Sequence, residues 1–348
     1  MEAAFYAKRH LEKKGIKVLL NTRLEAVLGD SKAAGVKIPD GELKADVVVM
    51  SLGIRPNTAF LKDTGLEMMP NGTILVDSQM KTNLPNVYAA GDCVCVTNRL
   101  TGERAWSPMG SSANMEGRTL AEAMCGEDSS YPGVLGTAVV KLPELNGGRT
   151  GLSEEAAKQA GFDVISVVIA TDDKAHYYPG AGMFIIKLIA DKNSRKLLGV
   201  QVLGSGAVDK VTDVGVVALT MGATIEQLQN MDMAYAPPFS TAIHPFVTAI
   251  NVLKNKLEGK MDSMTPAEFI QGKAEGYRIV DAALMPSISG APYVDLNTVT
   301  GEVKGLGKEE KLLLICNKGK RAYLLQNRLR FFGYTNTKVL EGGLAVNV

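Results

Sequence analysis

This sequence contains few cysteines, almost no net charge and no long apolar run. Four cysteines among 348 residues are too few for a disulfide scaffold, so we expect a reducing compartment where thiols stay available. The 38 basic and 37 acidic residues nearly cancel, which disfavours nucleic acid as a partner. No run of about 18 apolar residues is present, and the first residues lack a signal-peptide pattern. We therefore expect a cytoplasmic protein with neither a membrane nor a nucleic-acid partner.

One of the cysteines, Cys316, lies where the local sequence favours a thiolate. The apolar run Leu312–Ile315 predicts a buried strand, and the apolar spacing over residues 321–332 predicts a helix. The backbone N–H groups of the intervening loop, the positive end of the helix and three cations all favour an anion. These cations are Lys318, Lys320 and Arg321. A thiolate is a nucleophile, so Cys316 is a candidate catalytic residue; the alternative is a small apolar side chain at a strand end.

The apolar periodicity predicts an α/β protein. Helices are predicted at residues 2–14, 112–124, 207–221, 241–257 and 321–332. Strands are predicted at residues 16–20, 45–50, 73–76, 87–90, 138–142, 164–170, 183–190, 197–203, 278–281 and 312–315. A turn-rich stretch at residues 126–133 separates an α/β pattern from an α+β pattern, and a linker at 258–266 leads into a last small α/β segment.

Residues 83–92 form a second motif, an apolar strand followed by a glycine and an acid. Gly91 permits close approach of the backbone to a ligand, and Asp92 is predicted at the carboxyl end of a strand, where α/β folds bind ligands. The carboxylate of Asp92 suits ribityl or ribose hydroxyl groups. A Gly-Asp pair alone is a common turn, but the full spacing argues against a chance match.

Together with Thr82 and the turn at residues 51–57, this motif resembles the FAD-binding return segment of pyridine nucleotide-disulfide oxidoreductases. Residues 112–118 look like the helix whose N-terminus faces the flavin ring in that family, where the helix dipole would stabilise a reduced, anionic flavin. The resemblance implies FAD and NAD(P)H as cofactors. The cofactor-binding residues that it implies are Gly91, Asp92, Ala113, Asn114 and Phe239.

Residues 151–156 and 235–240 resemble the dimerisation domain of the same family, in the branch with coenzyme A-disulfide reductase, NADH oxidase and polysulfide reductase. The resemblance implies a homodimer and a thiol, disulfide or persulfide substrate. Two tyrosines of that branch face the partner subunit's flavin and the substrate thiol, and the matching positions are Tyr177 and Tyr235, with Tyr178 a weaker match for the first. A phenol near sulfur can donate a proton to a leaving thiolate. The alternative is that both rings only fill an interface.

The remaining candidate residues are interpreted as structural. His244 is followed by proline as in glutathione reductase relatives, but no orienting acid is evident, which favours a helix cap or an interface role. Coenzyme A reductases tend to have a lysine where Ile243 and His244 stand, which weakens the case for coenzyme A. Cys93 and Cys95 supply only two ligands, so we predict partly buried thiols without a metal, and the same for Cys125.

The segment around Cys316 resembles the active loop of rhodanese domains, which carry a sulfur atom as a cysteine persulfide. The resemblance implies catalytic roles for Cys316 and Arg321, beside those of Tyr235 and Tyr177. The resemblances divide the chain into the end of an NAD(P)H-binding domain at 1–50, an FAD-binding return segment at 51–130, a dimerisation domain at 131–260 and a rhodanese-like domain at 264–348. This order is similar to that of fused coenzyme A-disulfide or polysulfide reductases. It implies a flavin-dependent reductase of disulfides, persulfides or polysulfides with a sulfur-carrying domain.

Two departures from these families shape the expected activity. The family's first FAD segment, its redox cysteine and its glycine-rich nucleotide-binding turn have no match in the sequence, so we expect an N-terminally truncated chain that is inactive as a reductase by itself. Asp281 is followed by Ala282 and Ala283 instead of the usual charged pair, which predicts weak sulfur transfer. Two alternatives stay open: a stand-alone sulfurtransferase on a dimerisation platform, and a non-catalytic dimerisation remnant.

Overall fold

A computed structural model describes residues 2–347 of the chain. Its helices are α1 (Glu2–Lys13), α2 (Gly110–Met124), α3 (Glu154–Gln159), α4 (Val208–Thr220), α5 (Ile225–Leu228), α6 (Pro245–Leu257), α7 (Pro266–Ile270), α8 (Lys320–Phe331) and α9 (Leu344–Asn347). Its strands are β1 (Ala26–Leu28), β2 (Gly35–Ile38), β3 (Gly41–Lys44), β4 (Ile74–Leu75), β5 (Val94–Thr97), β6 (Arg104–Ala105), β7 (Ala138–Leu142), β8 (Leu145–Gly151), β9 (Val164–Asp172), β10 (Met183–Asp191), β11 (Leu197–Gly204), β12 (Ser263–Met264), β13 (Arg278–Asp281), β14 (Leu312–Ile315) and β15 (Thr337–Leu340). The fold is α/β, as predicted. Between residues 2 and 347, no helix combines the length and apolarity that a membrane span needs.

Residue contacts divide the chain into two compact units. The larger unit contains the residues up to 7, residues 98–103 and the residues from 133 onward, and the smaller one contains residues 8–97 and 104–132. The division follows contacts and not the four sequence segments, so the domain limits predicted above stay a prediction.

The larger unit is built first around a five-stranded antiparallel sheet with the order β7-β8-β11-β10-β9. Runs of β-branched and aliphatic residues form β9, β10 and β11, which are buried along nearly their whole length. Helices α4 and α6 cover one face, where Phe246 and Ile250 pack against the sheet. On the other face Val168 and Ile185 pack with Val346 of α9. Both faces are therefore covered within this unit.

The same unit contains a parallel sheet with the order β12-β15-β14-β13. Strand β14 is central and fully buried, as its sequence Leu-Leu-Leu-Ile predicts for a strand covered on both faces. Its register pairs Ile315 with Asp281 at the end of β13. The loops that follow Asp281 and Ile315 therefore leave the same edge of the sheet, next to each other.

The smaller unit contains the antiparallel sheet β1-β2-β3, the sheet β4-β5-β6 and helix α2. Strand β5 begins directly after the Gly91–Asp92 turn, in which Val94 N–H donates to Gly91 O at 3.1 Å. In this unit the predicted helix α2 and the predicted strand around residue 75 are confirmed within a few residues, as is α1, whose first residues belong to the larger unit.

Three predicted strands are wrong. Residues 16–20 and 45–50 form no strand, and residues 87–90 contribute only a single bridge, from Tyr88 to Lys81. The apolar run at 45–50 predicts burial, yet Val47 is 76% and Val49 84% exposed. A buried strand requires paired neighbours and a covered face, whereas among the described residues this run has a single backbone bond to another segment, from Ala45 N–H to Ala34 O at 3.2 Å.

Elsewhere the predicted elements agree with the fold, with two kinds of exception. The elements that were not predicted are strands β8, β12 and β15 and helices α3, α5, α7 and α9, because β8 contains three glycines and the others are only two to six residues long. Helix α6 begins at Pro245 and not at residue 241, because His244 caps it.

Candidate active site

Cys316 lies directly after the buried strand β14, and only 3% of its surface is exposed. Gly319 turns the chain with a φ of +88°, a left-handed conformation that glycine adopts without a Cβ penalty, and α8 begins at Lys320. The Cys316 Sγ accepts a hydrogen bond from Ala322 N–H at 3.4 Å. The first turn of α8 is therefore directed at the sulfur, as the sequence predicts.

The loop presents unpaired backbone donors. In the described part of the chain, the N–H groups of residues 317–321 have no hydrogen-bond acceptor. The carbonyl groups of Cys316 and Asn317, in contrast, accept N–H groups from Leu344 at 3.0 Å and Ala345 at 2.9 Å. The C=O and N–H of a trans peptide point in opposite directions, so the N–H groups of the next residues point away from that segment. Such a cluster of donors at a helix start suits a sulfur anion.

Two of the three cations near Cys316 are compensated by carboxylates. Lys318 Nζ lies 2.5 Å from Asp172 Oδ1, and Arg321 Nη2 lies 3.1 Å from Asp295 Oδ1. Arg321 Nε also donates to the carbonyl of Ala282 at 3.3 Å. These two cations therefore raise the local potential at the sulfur less than the sequence predicts. Lys320 is exposed and has no acidic partner among residues 2–347.

Asp281 fixes the neighbouring loop at the same sheet edge. Its carboxylate accepts N–H groups from Ala283 at 2.9 Å, Ser287 at 2.5 Å and Ile288 at 2.9 Å. Burial alone would raise the pKa of Asp281, but these N–H donors outweigh burial and hold the pKa below its usual value. Asp281, which precedes the atypical Ala282-Ala283 pair, is thus a structural anchor for this loop.

Tyr177 and Tyr235 lie together in the larger unit. The Tyr177 side chain lies close enough to Tyr235 to affect its pKa, and both side chains are exposed, by 68% and 49%. Partial desolvation and the Tyr177 side chain raise the pKa of Tyr235. Tyr177 belongs to a loop that Asp173 closes, since its carboxylate accepts Gly182 N–H at 2.8 Å. The two tyrosines that the sequence assigns to one site are therefore neighbours.

The segment after Tyr235 presents Phe239 and then His244. Phe239 is 73% exposed, and its N–H donates to the carbonyl of Ala236 at 2.9 Å. His244 is buried, and its Nδ1 accepts Phe246 N–H at 3.2 Å as the N-cap of α6. Burial, with a smaller effect of Lys210, lowers the pKa of His244 to about 4. The predicted capping role of His244 is confirmed.

The predicted flavin-binding residues of the smaller unit also lie close together. Gly91 has a φ of +89°, and a Cβ at this position would lie 3.7 Å from the Cβ of Ala113. Asp92 is exposed, and its carboxylate has no hydrogen-bond partner among the described residues. Asn114 Nδ2 donates to the carbonyl of Gly110 at 2.7 Å, and no side chain caps the start of α2. A free carboxylate beside uncapped helix donors fits the hydroxyl-rich chain and polar ring edge of FAD.

Glu116 is a functional candidate that the sequence motifs did not reveal. It is 1% exposed, and its Oε2 accepts Gly91 N–H at 2.7 Å. Burial and the nearby Asp92 raise the pKa of Glu116, although the Gly91 hydrogen bond opposes them. Glu116 can be identified from its helical spacing, because the buried stripe of α2 consists of Ser112, Glu116 and Thr119.

The other cysteines differ from one another. Cys95 is 3% exposed within β5, and Cys93 is partly buried, as predicted. Burial raises the pKa of Cys93. Cys125 is exposed, so the prediction that it is partly buried is wrong; it caps the end of α2. Within residues 2–347 no three His, Cys, Asp or Glu side chains gather as a metal site requires.

Models of known families match three stretches of the chain. Residues 1–117 match "Pyridine nucleotide-disulphide oxidoreductase", residues 137–246 match its dimerisation domain, and residues 250–346 match "Rhodanese-like domain".

Individual proteins match as well. The chain is 35% identical to an NAD(P)H sulfur oxidoreductase (CoA-dependent) of Pyrococcus furiosus over 68% of this chain and 54% of that protein. It is 36% identical to an NAD(P)H coenzyme A polysulfide/persulfide reductase of Pyrococcus horikoshii over 70% of this chain and 55% of that protein. The chain thus spans about half the length of these curated relatives. The structure of an NAD-dependent persulfide reductase from A. fulgidus has a TM-score of 0.91 and 34% identity, over 99% of this chain and 64% of that one.

Proposed function

We propose that this chain serves the FAD- and NAD(P)H-dependent reduction of persulfides, polysulfides or disulfides. It belongs to the pyridine nucleotide-disulphide oxidoreductase family and carries a rhodanese-like domain. In this proposal Cys316 is the sulfur carrier. The observation that carries it is the Cys316 loop, where unpaired N–H groups and the start of α8 surround a thiol at a strand end.

The sulfur-transfer step follows from this geometry. The Cys316 thiolate attacks the outer sulfur of a persulfide R–S–S⁻, so the new S–S bond forms on Cys316 while the old one breaks and R–S⁻ leaves. No net oxidation occurs in this step. Both the thiolate and the persulfide that replaces it are anions, and the loop N–H groups stabilise each of them. Arg321, held by Asp295, lies at the start of α8, where it can contact an incoming anionic donor.

The tyrosine pair supplies the proton that a leaving thiolate needs. A raised pKa keeps the Tyr235 hydroxyl protonated at neutral pH, and the Tyr177 side chain lies beside it. Exposure of both rings leaves them accessible to a thiol substrate. We therefore assign Tyr235 as the proton donor and Tyr177 as its orienting partner.

The residues of the smaller unit that fit FAD are Gly91, Asp92, Ala113 and Asn114, and Phe239 stays a predicted cofactor-binding residue. FAD, when bound, supplies the two-electron chemistry between NAD(P)H and sulfur. Asp92 would accept hydroxyl groups of the cofactor, and Gly91, held by Glu116, would allow the backbone to approach it.

A homodimer and a coenzyme A thiol or persulfide are parts of the same proposal. Six large apolar side chains of the segment that matches the dimerisation domain are more than half exposed: Val139, Val140, Val217, Met221, Phe239 and Ile243. Exposed apolar side chains of this kind favour a protein interface. The names of the two Pyrococcus relatives include coenzyme A, which supports it as the thiol carrier here.

The proposal is tested on the purified chain with glutathione persulfide as sulfur donor. We expect the intact mass to increase by one sulfur atom, with loss of this increase in Cys316→Ser. The matched control is Cys125→Ser, because Cys125 is the exposed thiol that could react without a site. An equal mass increase in Cys316→Ser would overturn the assignment of the sulfur carrier.

A stand-alone sulfurtransferase is the second candidate function. It is favoured because the Cys316 loop and all residues that contact it belong to the larger unit, whereas Gly91, Asp92 and Ala113 belong to the smaller one. The visible spectrum separates the candidates. Flavin bands, or their appearance on adding FAD, support the reductase, and a colourless chain that gains sulfur at Cys316 supports the sulfurtransferase. A colourless chain that behaves like its Cys316→Ser variant contradicts both.

A further inference from the structure

We propose that Glu341 and the Gly342-Gly343 turn are positioning residues for the Cys316 loop, which they connect to the five-stranded antiparallel sheet. The inference rests on the proposed role of Cys316 as sulfur carrier, and it adds a role for residues outside the rhodanese loop itself. In this arrangement, the five-stranded sheet and the C-terminal segment after β15 together support the reactive thiol.

The first part of the support is a buried carboxylate with three donors. Glu341 is 3% exposed and follows β15. Its Oε2 accepts Val168 N–H from β9 at 2.8 Å, and its Oε1 accepts Lys256 Nζ from α6 and Ser263 Oγ from β12, both at 2.6 Å. The charge is paired and its oxygens are hydrogen-bonded, which is the condition for a stable buried ion. Glu341 therefore ties β15 to the five-stranded sheet.

The second part is the glycine turn that follows. Gly342 and Gly343 have φ values of +69° and +58°. A Cβ at Gly343 would lie 2.1 Å from the carbonyl oxygen of Cys316 and 2.7 Å from that of Asn317. Only glycine allows this approach. Beyond the turn, Val346 packs against the five-stranded sheet, so the segment is held on both sides of its contact with the loop.

This contact determines which way the loop peptides face. Leu344 and Ala345 N–H groups bind the Cys316 and Asn317 carbonyl oxygens, which keeps those oxygens away from the sulfur. The opposite ends of the same peptides, the N–H groups of Asn317 and Lys318, then remain available to an anion. A displaced segment would free the carbonyl dipoles to turn towards the thiolate and destabilise it.

The charged groups around the loop are distinct from this support. They are the Lys318–Asp172 and Arg321–Asp295 pairs, the exposed Lys320 and the buried Asp281. A substitution at Gly343 changes none of these charges. It therefore separates peptide orientation from through-space electrostatics.

The test compares Gly343→Ala with Gly276→Ala. Gly276 also has a positive φ, +80°, but nothing lies within 4 Å of a Cβ there, so this control has the backbone strain without the collision. The measurement is the rate of Cys316 alkylation by iodoacetamide at pH 7 divided by the rate at pH 9.5, resolved by peptide mass spectrometry. This ratio reports the thiolate fraction, whereas altered access would change both rates alike.

We expect the ratio to fall about tenfold in Gly343→Ala, the effect of losing one hydrogen bond to an anion, and to stay at the wild-type value in Gly276→Ala. Glu341→Gln, which keeps the side-chain shape, should lower the ratio less. It replaces Gly343→Ala as the test variant if Gly343→Ala does not fold. A wild-type ratio in both folded variants, with only a lower melting temperature, would overturn the positioning role. A wild-type ratio no higher than that of an unstructured cysteine peptide would instead overturn the proposed sulfur carrier.

Discussion

The Cys316 loop and the Tyr177–Tyr235 pair are built in opposite ways within one unit. Cys316 is 3% exposed, and its loop is held by a glycine turn, by α8 and by two ion pairs. The two tyrosines are 68% and 49% exposed, and they are neighbours. The buried site owes its geometry to many supports, whereas the exposed pair depends on few.

This difference predicts two kinds of response to mutation. Around Cys316, removal of a support should cost stability, because buried polar groups lose their partners. Around the tyrosines, removal of a hydroxyl should leave stability nearly unchanged, because water replaces the lost contact. This difference would be contradicted if a substitution at Tyr177 or Tyr235 destabilised the protein as much as a substitution at the buried residues that support Cys316.

The largest effect is expected for Glu341→Ala. It leaves Lys256 without its charge partner and removes the acceptor of Val168 N–H, so the free energy of unfolding should fall by about 3 kcal/mol. Urea unfolding followed by circular dichroism measures it. Glu275→Ala is the control, since Glu275 is exposed, and its change should stay below about 0.5 kcal/mol. Equal losses in both variants would contradict a supporting role for Glu341.

The next effect concerns pH and His244. Its pKa is lowered to about 4 in the folded chain, so the unfolded chain binds the extra proton once the pH falls below about 6.5. Stability is complete above that pH and is lost as the pH falls towards 4, by about 2 kcal/mol. His244→Asn keeps a capping side chain but cannot titrate, so its unfolding free energy should depend less on pH over this range. An unchanged slope would exclude His244 as the source.

A smaller effect is expected for Lys318→Met. Both side chains of the Lys318–Asp172 pair are about one third exposed, so the pair should contribute at most about 1 kcal/mol. The alkylation rate of Cys316 at pH 7 should change less than about twofold, because the carboxylate already compensates the lysine charge. A tenfold slower alkylation would restore the thiolate-stabilising role that the sequence assigns to Lys318.

The smallest effect on stability is expected for Tyr177→Phe, below about 0.5 kcal/mol. The Tyr177 side chain helps to raise the pKa of Tyr235, so its loss should move the Tyr235 titration towards lower pH. The tyrosine ring signals in NMR spectra measured across alkaline pH follow this change. Tyr178→Phe is the matched control and should leave the Tyr235 titration in place. If both variants titrate alike, the Tyr177 side chain does not control the pKa of Tyr235.

The sequence predicted the parts of the fold whose residues determine their own environment. Strand β14 is buried because all four of its side chains are aliphatic, and the Cys316 loop follows from a glycine at the helix start. The run at residues 45–50 is equally apolar but forms no strand, because pairing depends on residues far away in the chain. Glu341 and Glu116 were missed for the same reason: their partners, such as Val168 and Gly91, are distant in sequence.

The exposed apolar run after β3 has a practical consequence for handling the protein. Val47, Val49 and Leu52 are each more than three quarters exposed, in a segment without regular pairing. Such a segment can pair with the same segment of another molecule, so we expect colloidal self-association that grows with protein concentration and with salt. Two polar replacements in this run should raise solubility while leaving the chemistry at Cys316 as it is.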